Sequence, residues 1–441
     1  MKFFLTTIVF IILTNCSFDN KTGIWQNNEI ENKNLKKNQF ENFKVINTKI
    51  KTFDKEIDPP SNLNILVNSI KFNTNWPDEY YGKTNNADNF SYKDLNELVF
   101  KSKKLSKFQI EDRFIFNEDK VITVDTKGNI IVYSLEKQKI ILRYNFYKKK
   151  YKKIKKKLNL ISEKNIIYIS DNFGYLYSIN LIENKLVWAK NYKIPFKSNF
   201  KIFDDKIILS DINNSLYFID KLTGNKKKFV PTEETLIKNN FVNSLALNDN
   251  NIFYLNTFGS LYSFDKNLSI NWFLNLNQSV DVSASDLFYS NPLVLYEDKI
   301  IISTDPYLYI LNANNGSTIH KISITSKTTP IISGKSIFLI TNDNLLICLN
   351  MTNGKVIYSI DISKKIGELL ETKNKPIIIK SLSIINNNLY IFLKNSYLVK
   401  FNINGLIQNI SKFSNKLSSF PIFINDSIIY ISKKNKLVIL N

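Results

Sequence analysis

DNFGYLYSINLIENKLVWAKNY, residues 171–192, returns as NTFGSLYSFDKNLSINWFLNLN at residues 256–277. Both stretches carry Phe-Gly, then Leu-Tyr-Ser and an apolar residue, a polar turn, and a Trp eleven or twelve residues after the Leu. Aligned on that Leu, the same slot recurs at Ile130, Leu176, Leu216, Leu261, Leu308, Leu346, Leu398 and Leu437. The intervals are 46, 40, 45, 47, 38, 52 and 39 residues, a mean near 44. Eight copies at that spacing make the chain a tandem array.

Each unit repeats one internal order. An apolar strand comes first (NIIYIS, KIILSD, KIIIST, SIFLIT), then a short Gly or Asn turn (DNFG, DINN, NTFG, TNDN). The slot strand alternates apolar and polar positions (LYSIN, LYFID, LYSFD, LYILN), and a second turn (LTGN, NNG, TNG) leads to a last strand such as KLVWAK. Period-two segments broken by turn residues read as antiparallel strands. Three readable strands plus a variable linking strand make a four-stranded blade, and such blades set radially form an all-β, eight-bladed propeller with short, protected edges. The eighth slot strand has no outer partner after it. The segment LNELVFKSK, residues 95–103, stands before the first unit and is expected to pair with the strand around Leu437 and Leu440, closing blade eight.

The chain has 441 residues, 44% of them hydrophobic, enough for a substantial core. Its formal charge of +21 comes from Lys far more than Arg. That charge reads either as a compositional bias toward Lys, Asn and Ile or as attraction to an anionic surface. The run KKKYKKIKKK at 148–157 is its densest point, a solvated linking loop or a contact for acidic headgroups. The two cysteines, Cys16 and Cys348, exclude a disulfide framework. Cys348 lies in the apolar run LLICLN and reads as a small buried hydrophobe.

The N-terminus MKFFLTTIVFIILTNC places an apolar core from Phe3 to Leu13 before Cys16. The core is too short to span a bilayer comfortably and has the length of a signal-peptide core. Ending it on Cys, with Leu13 three residues before, resembles the bacterial lipoprotein signal. That resemblance implies removal of residues 1–15, acylation of Cys16, and, with Ser17 rather than Asp behind it, delivery to the outer membrane. Export argues against nucleic acid as a partner. Residues 16–71, rich in Asn, Lys and Glu, read as the lipidated Cys and a flexible tether, and residues 72–441 as the propeller.

The unit resembles the repeat of quinoprotein-like (PQQ-type) propellers, in which Gly-x-Leu-Tyr-x-x-Asp is followed by Thr-Gly and a Trp that docks between neighbouring blades. Thr223-Gly224, Asn315-Gly316 and Asn353-Gly354 match the second turn. The docking slot reads Leu142, Trp188, Lys228, Trp272, His320, Tyr358 and Ile410, so packing between blades is expected to be less regular than in the family. Enzymes with this repeat hold a calcium through acidic and amide side chains beside the quinone, and often carry a Cys pair. No Cys-Cys occurs here, and no Asp or Glu cluster falls at a suggestive spacing. His320, the one histidine, sits in a docking slot, so neither a zinc set nor a His-based hydrolase assembles from the sequence. No catalytic residue, metal site or cofactor is expected.

A lipoprotein signal, a polar tether, and Asn75-Trp76-Pro77 opening an eight-unit propeller together resemble the BamB lipoproteins of the outer-membrane β-barrel assembly machinery. The resemblance implies a non-catalytic scaffold on the periplasmic side of the outer membrane. It would dock on the periplasmic domains of the central assembly protein and help deliver nascent outer-membrane proteins. In that family the partner surface lies on the links into the fourth and fifth units, which here hold Leu236, Ile237 and Lys238 and, in the second link, Asp286 and Leu287. Two other readings stay open at this point: a periplasmic quinoprotein-type dehydrogenase, and a polysaccharide-active propeller with paired carboxylates.

Overall fold

The first residue of the opening stretch sets its turn. Asp171 accepts hydrogen bonds from the backbone N–H of Phe173 (2.9 Å) and Tyr175 (2.8 Å), and Asn256 does the same for Phe258 and Ser260. Asp125 and Asp211 repeat the pattern in other units. These side-chain turns reverse the chain between an apolar strand and the slot strand. In the resulting hairpin Leu176 faces Ser170 on one side and Lys190 on the other.

The computed structural model describes residues 16–18, 25–27, 51–148, 151, 153–235, 242–277, 288–371 and 377–441. It has two separate units. In residues 1–50, Cys16–Phe18 pairs antiparallel with Trp25–Asn27. Residues 51–441 hold eight four-stranded antiparallel sheets, the blades of a β-propeller. Blades 1 to 7 occupy residues 115–145, 158–191, 201–230, 244–275, 294–322, 331–361 and 379–412. Blade 8 is residues 422–440 completed by Leu98–Lys104. A helix, Ile362–Leu369, capped by the Asp361 side chain, follows blade 6. No helix of the described residues is long and apolar enough to cross a membrane.

The two middle strands of each blade lie between neighbouring blades and are buried on both faces, which explains runs such as IIYISD and LYILN. The innermost strands are the linking strands that the sequence left indistinct. Five of them span only three residues, as in Ile115–Asn117 and Lys201–Phe203, too short to show a period. The closing strand pairs as expected with Lys436–Leu440, through Leu98↔Leu440, Phe100↔Ile439 and Lys101↔Val438. It runs from Leu98 to Lys104 rather than over 95–103. Residues 95 and 96 precede it, and Glu97 adds a reciprocal pair of 3.0 Å backbone bonds with Asn441.

Contacts between blades are more regular than the slot residues suggest. Every blade from 1 to 7 has a bulge between its third and fourth strands, always just after the residue two past the slot. The bulge twists the outer strand and carries the opposite side chain over the turn of the next blade. There Trp188 donates to Lys221 O (3.1 Å), Trp272 to Ala313 O (3.0 Å) and Tyr358 to Ile403 O (3.0 Å). Lys228 reaches Leu268 O, and the His320 ring meets Thr352 O at 2.9 Å. The slot thus keeps a polar hydrogen-bonding tip on an apolar stem while the residue type varies. Leu142 makes an apolar version, in one cluster with Leu181. In blade 7 the register puts Asn409, not Ile410, opposite the residue before the bulge. Gly224 and Gly316 lie under the two indoles with φ of +69° and +74°. A Cβ would stand 2.4 Å and 2.6 Å from the rings, so both turns require Gly.

The largest departure from the sequence reading lies before the blades. The expected tether reaches residue 71, but residues 51–71 already pack on the propeller. Ile57 bridges Ser359 on the outer strand of blade 6, and Ile65 is buried in the cluster shared by blades 6 and 7. Residues 75–93 then form a strap that visits all eight blades in order. Trp76 exchanges two backbone bonds with Phe116 of blade 1, and Ser162 of blade 2 donates to Pro77 O. Lys201 of blade 3 reaches Asp78. Leu247 of blade 4 and Leu295 of blade 5 donate to Lys83 O and Thr84 O. Asn86 pairs with Ile332 of blade 6, Phe90 with Ile384 of blade 7, and Lys93 with Asp426 of blade 8. Innermost strands are edges with unpaired backbone groups, and the strap satisfies them. Asn85 and Asn89 take left-handed φ (+60° and +44°), a conformation Asn tolerates.

Candidate functional site

The strap meets the innermost strands at or beyond their middle residues in seven blades, Lys201 of blade 3 being the exception, so it fills the far part of the central channel. Above it remains a cavity of about 330 Å³. Its lining comes from residues that precede or begin those strands, such as Phe114, Val242 to Ser244, Tyr289 to Pro292 and Phe420. These are the ends of the links between blades, so the cavity opens on the link face. Loops held on a rigid ring are where recognition residues concentrate.

A cationic and aromatic group stands in the cavity wall. The Arg113 guanidinium lies 4.1 Å from the Tyr80 ring and 4.3 Å from the Phe420 ring, and its Nη1 donates to Glu79 O at 2.7 Å. Lys380 lies 4.5 Å from the same Phe420 ring and 3.6 Å from Asp112. The Phe420 N–H donates to Asp112 O at 2.7 Å, so blades 7, 8 and 1 meet the strap here. Burial pushes the Glu79 carboxyl up to about 8, against the opposing pull of Arg113 and of the Leu160 N–H that it accepts. Burial likewise lowers Lys380.

The sign of the Glu79 shift fixes a pH dependence. The folded protein keeps this carboxyl protonated up to about pH 8, whereas the unfolded chain releases the proton near 4.5. Between those values the unfolded state binds fewer protons, so stability falls as pH rises, by at most about 1.4 kcal/mol per pH unit. Glu79→Gln removes that slope. Thermal melts across the window should show the variant gaining on the parent as pH rises; parallel curves would contradict the shift.

Among the described residues no three His, Cys, Asp or Glu side chains are placed to hold a metal ion. Glu79 accepts the Leu160 N–H and Asp112 faces Lys380, so neither carboxylate is placed to hold a calcium beside a quinone. His320 is committed to the turn of blade 6, and Cys348 is buried with its thiol pushed up to about 12, which makes it unreactive.

The five residues expected at the partner surface, Leu236, Ile237, Lys238, Asp286 and Leu287, lie outside the described residues. Their described neighbours Val242 and Tyr289 line the cavity mouth, so both links end at its rim. Cys16 falls in the paired strand Cys16–Phe18. In the basic run, residues 149, 150 and 152 are outside the description, and Lys156 is buried with its ammonium on Tyr151 O rather than solvated. The cavity group itself was missed by sequence reasoning. One signal existed: Arg113 and Arg143 are the two arginines of a chain with 60 basic residues.

The family model of the outer membrane protein assembly factor BamB matches residues 152–360, blades 2 to 6. Among solved structures, BamB from Moraxella catarrhalis aligns with a TM-score of 0.60 at 12% identity, over 78% of this chain and 99% of its own. The quinohemoprotein alcohol dehydrogenase from Comamonas testosteroni gives 0.62 at 9% identity, over 83% and 80%. A europium-containing methanol dehydrogenase gives 0.58 at 8%, over 83% and 89%. At such identities the likeness to these structures is one of fold. No curated protein sequence matches. The chain is thus an eight-bladed propeller that is similar to the BamB family over blades 2 to 6.

Proposed function

We propose that this protein is a non-catalytic scaffold of the outer-membrane β-barrel assembly machinery, anchored through Cys16 on the periplasmic side of the outer membrane. It docks on the periplasmic domains of the central assembly protein and supports insertion of nascent outer-membrane proteins. The observation that carries the reading is the BamB family match over blades 2 to 6, which contains both links at the cavity rim. The likeness to quinoprotein dehydrogenases supports the shared fold, and no residue set at the cavity adds to it.

The test is affinity capture of the full chain from solubilised outer membranes, with identification of what comes with it. The assembly protein should be recovered. Leu236→Ala combined with Lys238→Glu should weaken that association by about 2 kcal/mol if the first link is a hot spot, roughly thirtyfold in Kd, with the melting temperature unchanged. Retained binding by the folded double variant moves the interface elsewhere. Recovery of the chain only from a soluble fraction, without an assembly protein, overturns the proposal.

A further inference from the structure

We infer that the central cavity binds a small organic anion carrying a ring or similarly flat apolar body. Its volume of about 330 Å³ lies within the range of small-molecule sites. The floor is aromatic: Trp76, Tyr81 and Phe90 stand 4.5 to 5.3 Å apart, centroid to centroid. The strap that carries them fills the far part of the channel, so the cavity is a blind pocket opening on the link face.

The wall selects the charge. Arg113, Lys380 and, toward the rim, Lys327 line it, and among the described lining residues the one acid is Glu79. That carboxyl is neutral below about pH 8, so the described lining is net cationic at neutral pH, with Asp112 behind it paired to Lys380. Arg113 is held flat by two rings, and its one hydrogen bond among the described residues leaves through Nη1. Its remaining N–H donors keep the planar fork that pairs with carboxylate or phosphate. The Lys380 side chain is 8% exposed, and its ion-pair partner Asp112 stands 3.6 Å away. A desolvated ammonium held by one carboxylate at that distance gains from an anion that comes closer. Tyr80 and Phe420 fix the cations in place, so the ligand's apolar body would rest on the aromatic floor. The competing account is that these groups only rivet blades 7, 8 and 1 to the strap.

Phenylphosphate separates the two. Titrated into the purified full chain at neutral pH and followed by calorimetry, it should bind saturably at one site and more weakly as salt rises. Benzyl alcohol, with the ring and without the charge, should not saturate. Arg113→Met and Lys380→Met should each weaken phenylphosphate by about tenfold or more, the loss of one charge-assisted hydrogen bond. Should Arg113→Met fail to fold, Lys380→Met and the rim variant Lys327→Gln, with a severalfold effect, keep the test open. No saturable binding, equal binding of benzyl alcohol, or unchanged affinity in every folded variant leaves the cluster a structural rivet and overturns the inference.

Discussion

Deleting Leu98–Lys104 should yield a chain that self-associates and melts roughly 10 °C or more below the parent. The deletion removes the outer strand of blade 8 and with it the pairings to Leu440, Ile439 and Val438. It also removes Ser102, whose hydroxyl accepts the Leu437 N–H at 2.9 Å, and Phe100, packed 6.1 Å from Tyr133 of blade 1. What remains is an edge whose residues Leu437 and Val438, one on each face, are fully buried in the parent. An open apolar edge of that kind templates pairing with another chain. The strap would still bridge blades 8 and 1, but it meets their innermost strands and leaves the rim unpaired. Sedimentation and thermal melts check the result. A monomeric deletion variant with the parent's melting temperature would show that the strap alone shuts the ring.

The contrast between closing strand and strap shows what the sequence could carry. The closing strand was legible because the array counts itself: eight slots and seven complete fourth strands leave one vacancy, and a strand-like segment stands unassigned before the first unit. The docking slots were legible in position and misread in kind. A residue-type pattern saw Trp decay into Lys, His and Tyr, whereas all of these reach a carbonyl of the next turn. The strap was illegible because it has no period. It meets successive blades at uneven spacings of one to five residues, and it uses Asn85, Asn86 and Asn89, residues that elsewhere in this chain mark turns. The cavity group came from sites far apart in sequence, Tyr80, Arg113, Lys380 and Phe420, joined only once the ring is shut. No local spacing encodes that meeting. The partner links, read from a family resemblance alone, remain a proposal.

A buried ion pair ties the strap to the ring, and breaking it should cost more than any single substitution on the surface. Lys201, with a side chain 1% exposed, meets Asp78, 5% exposed, at 2.9 Å. The ammonium also donates to Gly82 O, and Asp78 accepts the Tyr80 N–H at 2.7 Å. Burial lowers Lys201, and Asp78 is the main group pulling it back up. Asp78→Ala leaves that ammonium with one carbonyl in a dry site, and removing one partner of such a pair costs about 3–5 kcal/mol. Lys201→Met alone should cost less, because Asp78 keeps its backbone donor. If the penalty is an uncompensated charge and not lost packing, Lys201→Met placed in the Asp78→Ala background should recover most of the stability. Denaturant melts of the two single variants and the double close the cycle. Additive losses would mean that the strap is held by its backbone bonds and that the pair is incidental. A recovery would mean that the charge pair fixes the register in which residues 75–93 meet blades 2 and 3. The cavity floor rests on that same register: Trp76 and Tyr81 flank Asp78, and their rings form the floor only while this turn of the strap is held against blade 3.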